Sequence, residues 1–242
     1  MSMPRFFVDE RCAPDLRVTL SAEDAHHALQ VLRLRDGDAV VVINDGTAWD
    51  ATLTTSERGR ADAVIAAPRQ ETGGELPSAV TVLQALIKGN KFDEVVEKVV
   101  ELGARRIVPV RCERGYGEAG DAKLSRWRRI ARSAAQQSRR RTLPSVEQAL
   151  PWSDAVLAYG GSALLVAYEG AQPGTFTAAI ERVKRAPDVT IAIGPEGGLT
   201  DAEVQTARDA GAAIVSLGPS VLRTETAGAA MLSALAATAG WW

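Results

Sequence analysis

Two segments in the last fifth of the chain carry the residues best suited to binding a ligand. The first is Gly194-Pro195-Glu196-Gly197-Gly198, which follows the apolar run Val189–Ile193. Glycines in such a turn allow positive φ and a close backbone approach to a ligand. At Gly197 a Cβ is expected to forbid the turn or to enter the ligand volume. The loop has no G-x-G-x-x-G or Walker sequence, so a phosphate-bearing cofactor is not favoured. An ordinary tight turn is the alternative.

The second segment runs from Leu217 to Ala227 and places a charged pair, Arg223 and Glu225, among apolar residues. Burying either charge without a partner would be costly. Two interpretations stay open. Either the two residues form a mutual salt bridge that holds the loop, or Arg223 faces an anionic or polar substrate.

Metal chemistry finds little support. His26 and His27 are adjacent and point in different directions on a helix, and no Cys, His and carboxylate spacing is typical of a metal site. Neither Cys12 nor Cys112 lies in a catalytic motif, and G-x-S-x-G is absent. The sequence therefore predicts no metal.

A strongly basic segment precedes both loops. Between Arg105 and Arg141, twelve Lys or Arg stand against three Asp or Glu, a net charge of +9 in a chain whose total is −2. Such segregation is typical of a surface that meets a phosphate backbone. Eleven of the twelve are arginine, which favours bidentate phosphate contacts. A solvated basic helix is the alternative.

The elements that must position these residues fall into two groups. Up to residue 67, short strands alternate with tight turns such as Asp45-Gly46, and one helix follows a capping serine, Ser21. This pattern indicates a small barrel. The polar, Gly- and Pro-containing stretch 68–77 is typical of a linker.

After Ser78, strand and helix patterns alternate, which predicts a mostly parallel sheet covered on both faces. Ligands bind such sheets at the carboxyl ends of the strands. We expect strands at 79–87, 107–110, 163–167, 189–193 and 214–216, and helices at 92–102, 124–138, 175–184, 201–209 and 226–239.

Composition agrees with a globular protein. The 242 residues, 46% hydrophobic and 24% charged, suit one large or two modest domains and exclude a disordered or fibrous chain. Two cysteines and the absence of a signal-peptide core favour a cytoplasmic protein. The uncharged run 226–242 is too short and too rich in Ala and Gly for a membrane span, so a buried helix is expected there.

Taken together, the two loops resemble the signature of the 16S ribosomal RNA (uracil-N3)-methyltransferase family, RsmE, of the SPOUT superfamily of knotted methyltransferases. The resemblance rests on Gly194–Thr200 with Glu203, on Leu217-Gly218-Pro219 and on Leu222–Ala227. Further matches are Arg5-Phe6-Phe7, His27 with Val31-Leu32-Arg33, Lys88-Gly89, Lys98 with Glu101-Leu102-Gly103, and Gln137-Ser138 with Arg140 and Pro144. The chain departs from the pattern at Gln136, where Glu is usual, and at Ser220, where Arg is common.

The resemblance implies an α/β fold with a PUA-like β-barrel at residues 1–72 and a SPOUT methyltransferase domain at 75–242, with a trefoil knot in its mostly parallel sheet. It also implies a homodimer and S-adenosylmethionine (SAM) as methyl donor. The implied partner is 16S rRNA in the 30S subunit, methylated at N3 of the uridine conventionally numbered 1498. No membrane is implied.

The resemblance also assigns the site. The cofactor-binding residues are Val166, Ala167, Gly194, Pro195, Glu196, Gly197, Gly198, Leu217, Gly218, Val221, Leu222, Arg223 and Thr226. Arg5, His27, Arg33, Arg114, Arg132 and Arg140 are expected to bind RNA. Arg223 is expected to stabilise the uracil anion, and Glu225 or Glu196 to orient Arg223 or accept the proton. The identity of the base stays open.

Two other functions stay open. One is a SPOUT methyltransferase for another RNA, against which the barrel residues Arg5, His27 and Arg33 argue. The other is a non-enzymatic RNA-binding or ribosome-assembly protein, against which both intact loops argue.

Overall fold

The computed structural model describes residues 3–55, 59–71, 74–161 and 163–242. The chain divides into two compact units. The first comprises Met1–Glu75 and Ala135–Leu143, and the second comprises Leu76–Ala134 and Pro144–Trp242. The sequence did not indicate that 135–143 belongs with the first unit. The domain boundaries at 72 and 75 remain a prediction.

The first unit is built on a five-stranded sheet in the order β1-β3-β4-β5-β2. The strands are β1 (Arg5–Phe7), β2 (Arg17–Thr19), β3 (Ala39–Asn44), β4 (Thr47–Thr55) and β5 (Ala61–Pro68). β1 runs parallel to β3, and the other neighbouring pairs are antiparallel. Asp45 and Gly46 have φ of 48° and 77°, as a two-residue hairpin turn requires. The predicted hairpin is confirmed.

The helix of this unit begins at the predicted cap. The Asp24 N–H donates to Ser21 Oγ at 3.1 Å at the start of α1 (Ala22–His26). The helix widens into a single π turn, His27–Val31, after which Arg33 adopts a left-handed φ of 57°. Ala25 and Ala28 lie in the core of the unit.

The second unit is built on a parallel sheet in the order β12-β10-β11-β6-β7-β8, with β9 also paired to β7. Its strands are β6 (Ala79–Ala85), β7 (Arg106–Arg111), β8 (Ser145–Val146), β9 (Leu150–Pro151), β10 (Leu164–Ala167), β11 (Asp188–Ile193) and β12 (Ala213–Val215). Its helices are α2 (Lys91–Glu101), α3 (Asp121–Gln137), α4 (Trp152–Tyr159), α5 (Thr175–Val183), α6 (Asp201–Asp209) and α7 (Thr224–Thr238).

The predicted mixed α/β architecture with a parallel sheet is confirmed. The observed ends of the predicted strands and helices differ from the expected ones by a few residues at most. β8, β9 and α4 were not predicted, because two-residue strands and an eight-residue helix carry too little periodicity to recognise.

Alternate strand residues face helices on this sheet, as the period of two requires. Val108 and Val110 of β7 and Leu164 and Val166 of β10 share a core cluster with residues of α4 and α6. Helices α2 and α7 pack against each other. In the part of the chain that the structure describes, no helix has the length and apolar character needed to cross a membrane.

Candidate active site

Three loops of the second unit meet because their strands are neighbours. β10 lies between β11 and β12, and all three run parallel, so the loops after Ala167, Ile193 and Val215 leave the same edge of the sheet. They border a cleft of about 460 Å³, a size usual for small-molecule sites. The lining residues are Lys91, Ala167, Tyr168, Glu169, Ile193, Gly194, Pro195, Glu196, Gly198, Leu199, Ser216, Leu217, Gly218, Pro219, Ser220, Val221, Leu222, Arg223, Thr224, Glu225 and Ala227.

Gly198 adopts the left-handed backbone conformation for which the first loop requires a glycine. Its N–H donates to Pro195 O at 3.0 Å, and its φ is 72°, a region that side chains disfavour. A Cβ at this position would lie 2.7 Å from Glu169 Oε1. The loop then enters α6 through a capping box between Thr200 and Glu203.

Gly197 lies outside the cleft lining, and its φ is not positive. A Cβ there would meet Arg114 Cβ at 2.9 Å and Arg114 O at 3.2 Å. Arg114 Nη1 also donates to Gly197 O at 3.3 Å. The expectation that a side chain at Gly197 would enter the ligand volume is therefore wrong, because this glycine turns its free face toward the 112–115 loop.

Two other predicted cofactor residues also lie outside the lining. Val166 is fully buried within β10, and Thr226 is exposed on the first turn of α7. The remaining predicted residues all line the cleft: Ala167, Gly194, Pro195, Glu196, Gly198, Leu217, Gly218, Val221, Leu222 and Arg223. Their assignment to a cofactor stays a prediction.

The loop after β12 presents apolar side chains to the cleft. Val221 is 85% exposed and Leu222 is 36% exposed, although both are large and hydrophobic. Gly218, with φ of 133°, gives this loop a conformation that side chains rarely adopt. The loop ends at Arg223, an exposed residue that caps α7 from an extended backbone conformation. The cleft thus combines an apolar wall with a cation.

Glu225 forms an ion pair with Lys91 and is also influenced by the charge of Arg223. Lys91 Nζ lies 2.9 Å from Glu225 Oε1. The hydrogen bond from Lys91 lowers the pKa of Glu225 below its usual value, with smaller contributions from its own backbone and from the charge of Arg223. A carboxylate held ionised in this way is a weak proton acceptor.

Sequence reasoning missed Lys91, Tyr168 and Glu169. Tyr168 and Glu169 directly follow β10, so the rule that ligands meet the carboxyl ends of strands was a usable signal for them. Lys91 is the first residue of α2, after the loop that leaves β6. No local motif marks it, since only the sheet order brings it beside Glu225.

Comparisons with known proteins agree with this architecture. Residues 74–236 match the RNA methyltransferase domain family, and residues 20–66 match the RNA methyltransferase PUA domain family. The chain is 36% identical over 87% of its length to ribosomal RNA small subunit methyltransferase E of Synechocystis sp., covering 69% of that protein. It is 32% identical over 98% of its length to the Mycobacterium tuberculosis protein of the same name, covering 92% of it. The chain belongs to this RNA methyltransferase family.

Two solved structures are also similar. Ribosomal RNA small subunit methyltransferase E from Neisseria gonorrhoeae, bound to S-adenosyl methionine, superposes with a TM-score of 0.86 at 32% identity over 98% of both chains. The Legionella pneumophila protein Lpg2936, in complex with the cofactor SAM, superposes with a TM-score of 0.88 at 28% identity, also over 98% of both chains. The first unit is accordingly PUA-like.

An RNA methyltransferase of this family must hold a polyanion, yet two of the predicted RNA-binding arginines are buried. The Arg140 side chain is 2% exposed and donates from Nη2 to Glu75 Oε2 at 2.7 Å. Arg5 is 5% exposed and donates from Nη1 to Glu71 Oε1 at 2.7 Å. Guanidinium groups enclosed in this way are not available to phosphates. We therefore correct the assignment of Arg5 and Arg140 to RNA binding.

The other predicted RNA-binding residues reach the surface. Arg33 and Arg114 are exposed, and His27 and Arg132 are half-buried. The basic helix α3 adds residues that the family motifs did not single out. Its exposed cations are Lys123, Arg126, Arg128 and Arg129. Arg126 pairs with Asp93, and Arg128 Nε donates to Val146 O at 3.1 Å.

Cys112, the cysteine of the methyltransferase unit, is not set up as a nucleophile. Burial, followed by the charge of Glu203, raises the pKa of the Cys112 thiol and keeps it protonated. Among the residues that the structure describes, no group of three or more His, Cys, Asp or Glu is placed to hold a metal ion.

Proposed function

We propose that the chain transfers a methyl group from SAM to N3 of uridine 1498 of 16S rRNA in the small ribosomal subunit. The observation that carries this proposal is the cleft at the carboxyl ends of β10, β11 and β12. It belongs to a chain that is 32% identical, over 98% of its length, to a small-subunit rRNA methyltransferase E bound to S-adenosyl methionine.

The residues of the cleft fit SAM. Leu217, Val221 and Leu222 offer an apolar wall for the adenine, and no phosphate-binding cradle is needed because SAM has no phosphate. Glu169 and Glu196 supply negative charge that suits the ammonium and sulfonium groups. We propose the lining residues predicted from the sequence as the SAM site, without Val166, Gly197 and Thr226.

The chemistry requires an anionic uracil. SAM, when bound, supplies a methyl group made electrophilic by its sulfonium. N3 of uracil carries a proton normally used in base pairing, so the uridine must be unpaired to present it. Arg223, exposed in the cleft, favours the deprotonated base by electrostatic attraction.

We assign Glu225 a holding role. Lys91 keeps its carboxylate ionised, so Glu225 is a poor acceptor for the N3 proton. Its charge instead fixes Lys91, and it attracts Arg223 near the reacting base. Glu196 accepts the Lys88 N–H at 3.3 Å and is exposed on the lining of the cleft, so of the two carboxylates considered it is the one left to take the N3 proton.

The test is methyl transfer from tritiated SAM to 30S subunits isolated from a strain that lacks the modification. Incorporation into 16S rRNA, located by mass spectrometry as one 3-methyluridine, is expected. Arg223→Ala should lose transfer, and Arg208→Ala, a substitution on α6, serves as the matched control. Label in tRNA or 23S rRNA would favour the other RNA substrates, and RNA binding without transfer would favour a non-enzymatic assembly protein.

We further propose a C₂ homodimer that works in the cytoplasm, with the trefoil knot and the domain boundaries 1–72 and 75–242 that the family resemblance implies. The part of α7 after Glu225, which is apolar and carries no charge, and the exposed Trp242, 65% accessible, support self-association. Light scattering should give twice the chain mass of 25.7 kDa, about 51 kDa. A fully active monomer would contradict the dimer.

A further inference from the structure

A buried chain of hydrogen bonds joins the two loops that border the cleft. Gln84 Nε2 donates to Thr224 Oγ1 at 3.2 Å, and Thr224 Oγ1 donates to Gly194 O at 2.5 Å. Gln84 belongs to β6, Thr224 begins α7, and Gly194 opens the glycine loop. Three segments distant in sequence therefore meet through one hydroxyl group.

The single proton of that hydroxyl fixes the direction of the chain. Because Thr224 donates its hydrogen to Gly194 O, its oxygen must accept from Gln84, so the Gln84 amide nitrogen must face it. Gln84 pairs in register with Ile193, the residue just before Gly194. The amide is thus held beside the exact strand end from which the glycine loop departs.

Packing alone gives no reason for a glutamine here. Gln84 is 0% exposed, and the residues that share its face of β6, Val80 and Val82, are apolar and fully buried. Within the described residues, Gln84 Oε1 has no hydrogen-bond partner, and a Cβ at Gly228 would lie 3.2 Å from it. A half-satisfied buried amide costs stability that a methionine of similar size would not.

We propose that Gln84 and Thr224 are positioning residues for the methyl donor, which hold the 194–198 loop and the 217–223 loop at the separation that SAM binding needs. Thr224 sits on the lining of the cleft, whereas Gln84 acts through it. The inference rests on the proposed function, since it names what sets the geometry of the same cleft.

The experiment measures SAM affinity by titration calorimetry in the full-length protein. Thr224→Val keeps the shape but removes the hydroxyl, and should weaken SAM binding about tenfold, a change of about 1.4 kcal/mol. Thr224→Ser restores the hydroxyl and should bind within about twofold of the wild type. Gln84→Met should weaken binding in the same direction, and KM for SAM should rise while kcat at saturating SAM stays near the wild-type value.

Thr81→Val is the matched control, because Thr81 is a buried threonine of β6 that does not line the cleft. It should change the unfolding temperature without changing SAM affinity. If Thr224→Val fails to fold, the SAM affinity of Gln84→Met tests the inference by itself. Wild-type affinity in both variants, or no rescue by Thr224→Ser, would overturn the inference while leaving the proposed function intact. A wild-type protein that binds no SAM would overturn both.

Discussion

Charge partners in the cleft come from residues far apart in sequence. Glu225 lies on α7 and is matched by Lys91 at the start of α2, with Arg223 nearby. The folded-state pKa of Glu225 is therefore depressed. Such a pair stabilises the fold above the unfolded pKa of about 4.3, and this stabilisation is lost as pH falls through the folded pKa.

Lys91→Met should raise the pKa of Glu225 toward the ordinary value, because the largest cause of its depression is removed. Carbon-detected NMR titration of the Glu225 carboxyl group measures this pKa directly. Lys98→Met is the control, since Lys98 lies on the same helix but pairs with Glu101. An unchanged Glu225 titration in Lys91→Met would show that the ion pair does not persist in solution.

The two glycines of the first loop should respond differently to alanine. Gly198→Ala forces a left-handed residue and pushes Glu169, so we expect SAM binding to weaken by tenfold or more, along with a stability loss of about 1–3 kcal/mol. Gly197→Ala should instead displace Arg114 and affect SAM binding less. Calorimetry with both variants distinguishes the effects, and a larger loss in Gly197→Ala would contradict the placement of the two residues.

At the scale of elements, the Glu75 carboxylate ties the 135–143 segment to the rest of the first unit. Glu75 accepts from the Arg140 guanidinium and from the N–H groups of Arg141 and Thr142, both at 2.9 Å. Gln136 Nε2 adds a bond to Asp24 Oδ1 at 2.8 Å. Gln136, the residue at which the chain departs from the family pattern, thus makes a hydrogen bond within the first unit.

Arg140→Ala should therefore act on stability. Removing one partner of a buried pair leaves the other charge uncompensated. We expect the free energy of unfolding, measured by chemical denaturation, to fall by about 3 kcal/mol. Arg139 is an exposed neighbour, so Arg139→Ala should lower the free energy of unfolding far less. Equal denaturation midpoints for the two variants would mean that the pair of Arg140 and Glu75 contributes nothing to stability.

At the scale of the whole molecule, basic charge is concentrated in one part of an acidic chain. The 105–141 segment carries +9 although the total is −2. Part of that charge serves internal structure, as in Arg140, Arg126 and Arg128. The RNA contacts that we propose therefore fall to the cations that remain exposed.

Arg33→Ala should lower the slope of log K against log salt for 30S binding by about 0.7–1, as expected for one lost phosphate contact. Arg140→Ala, tested where it is folded, should leave the slope unchanged, because its guanidinium is 2% exposed. Binding isotherms over a series of salt concentrations measure both. A lower slope in Arg140→Ala together with an unchanged slope in Arg33→Ala would show that Arg140, and not Arg33, contacts RNA phosphates.

Much of this protein follows from local sequence. The apolar alternation predicts most strands and helices, Ser21 predicts the start of α1, and Asp45-Gly46 predicts a hairpin, because capping and turn chemistry act over a few residues. The two loop motifs contain nine of the predicted cofactor residues that line the cleft, since a strand followed by glycines delivers backbone to the edge of a sheet.

Tertiary structure alone decided the rest. The order of the strands brings Lys91 to Glu225 and Gln84 to Thr224, pairs separated by more than a hundred residues, and no local pattern encodes that order. Burial turned Arg5 and Arg140 from expected RNA contacts into internal ion pairs. An arginine's charge is visible in the sequence, but whether it meets phosphate or carboxylate depends on which surfaces the fold encloses.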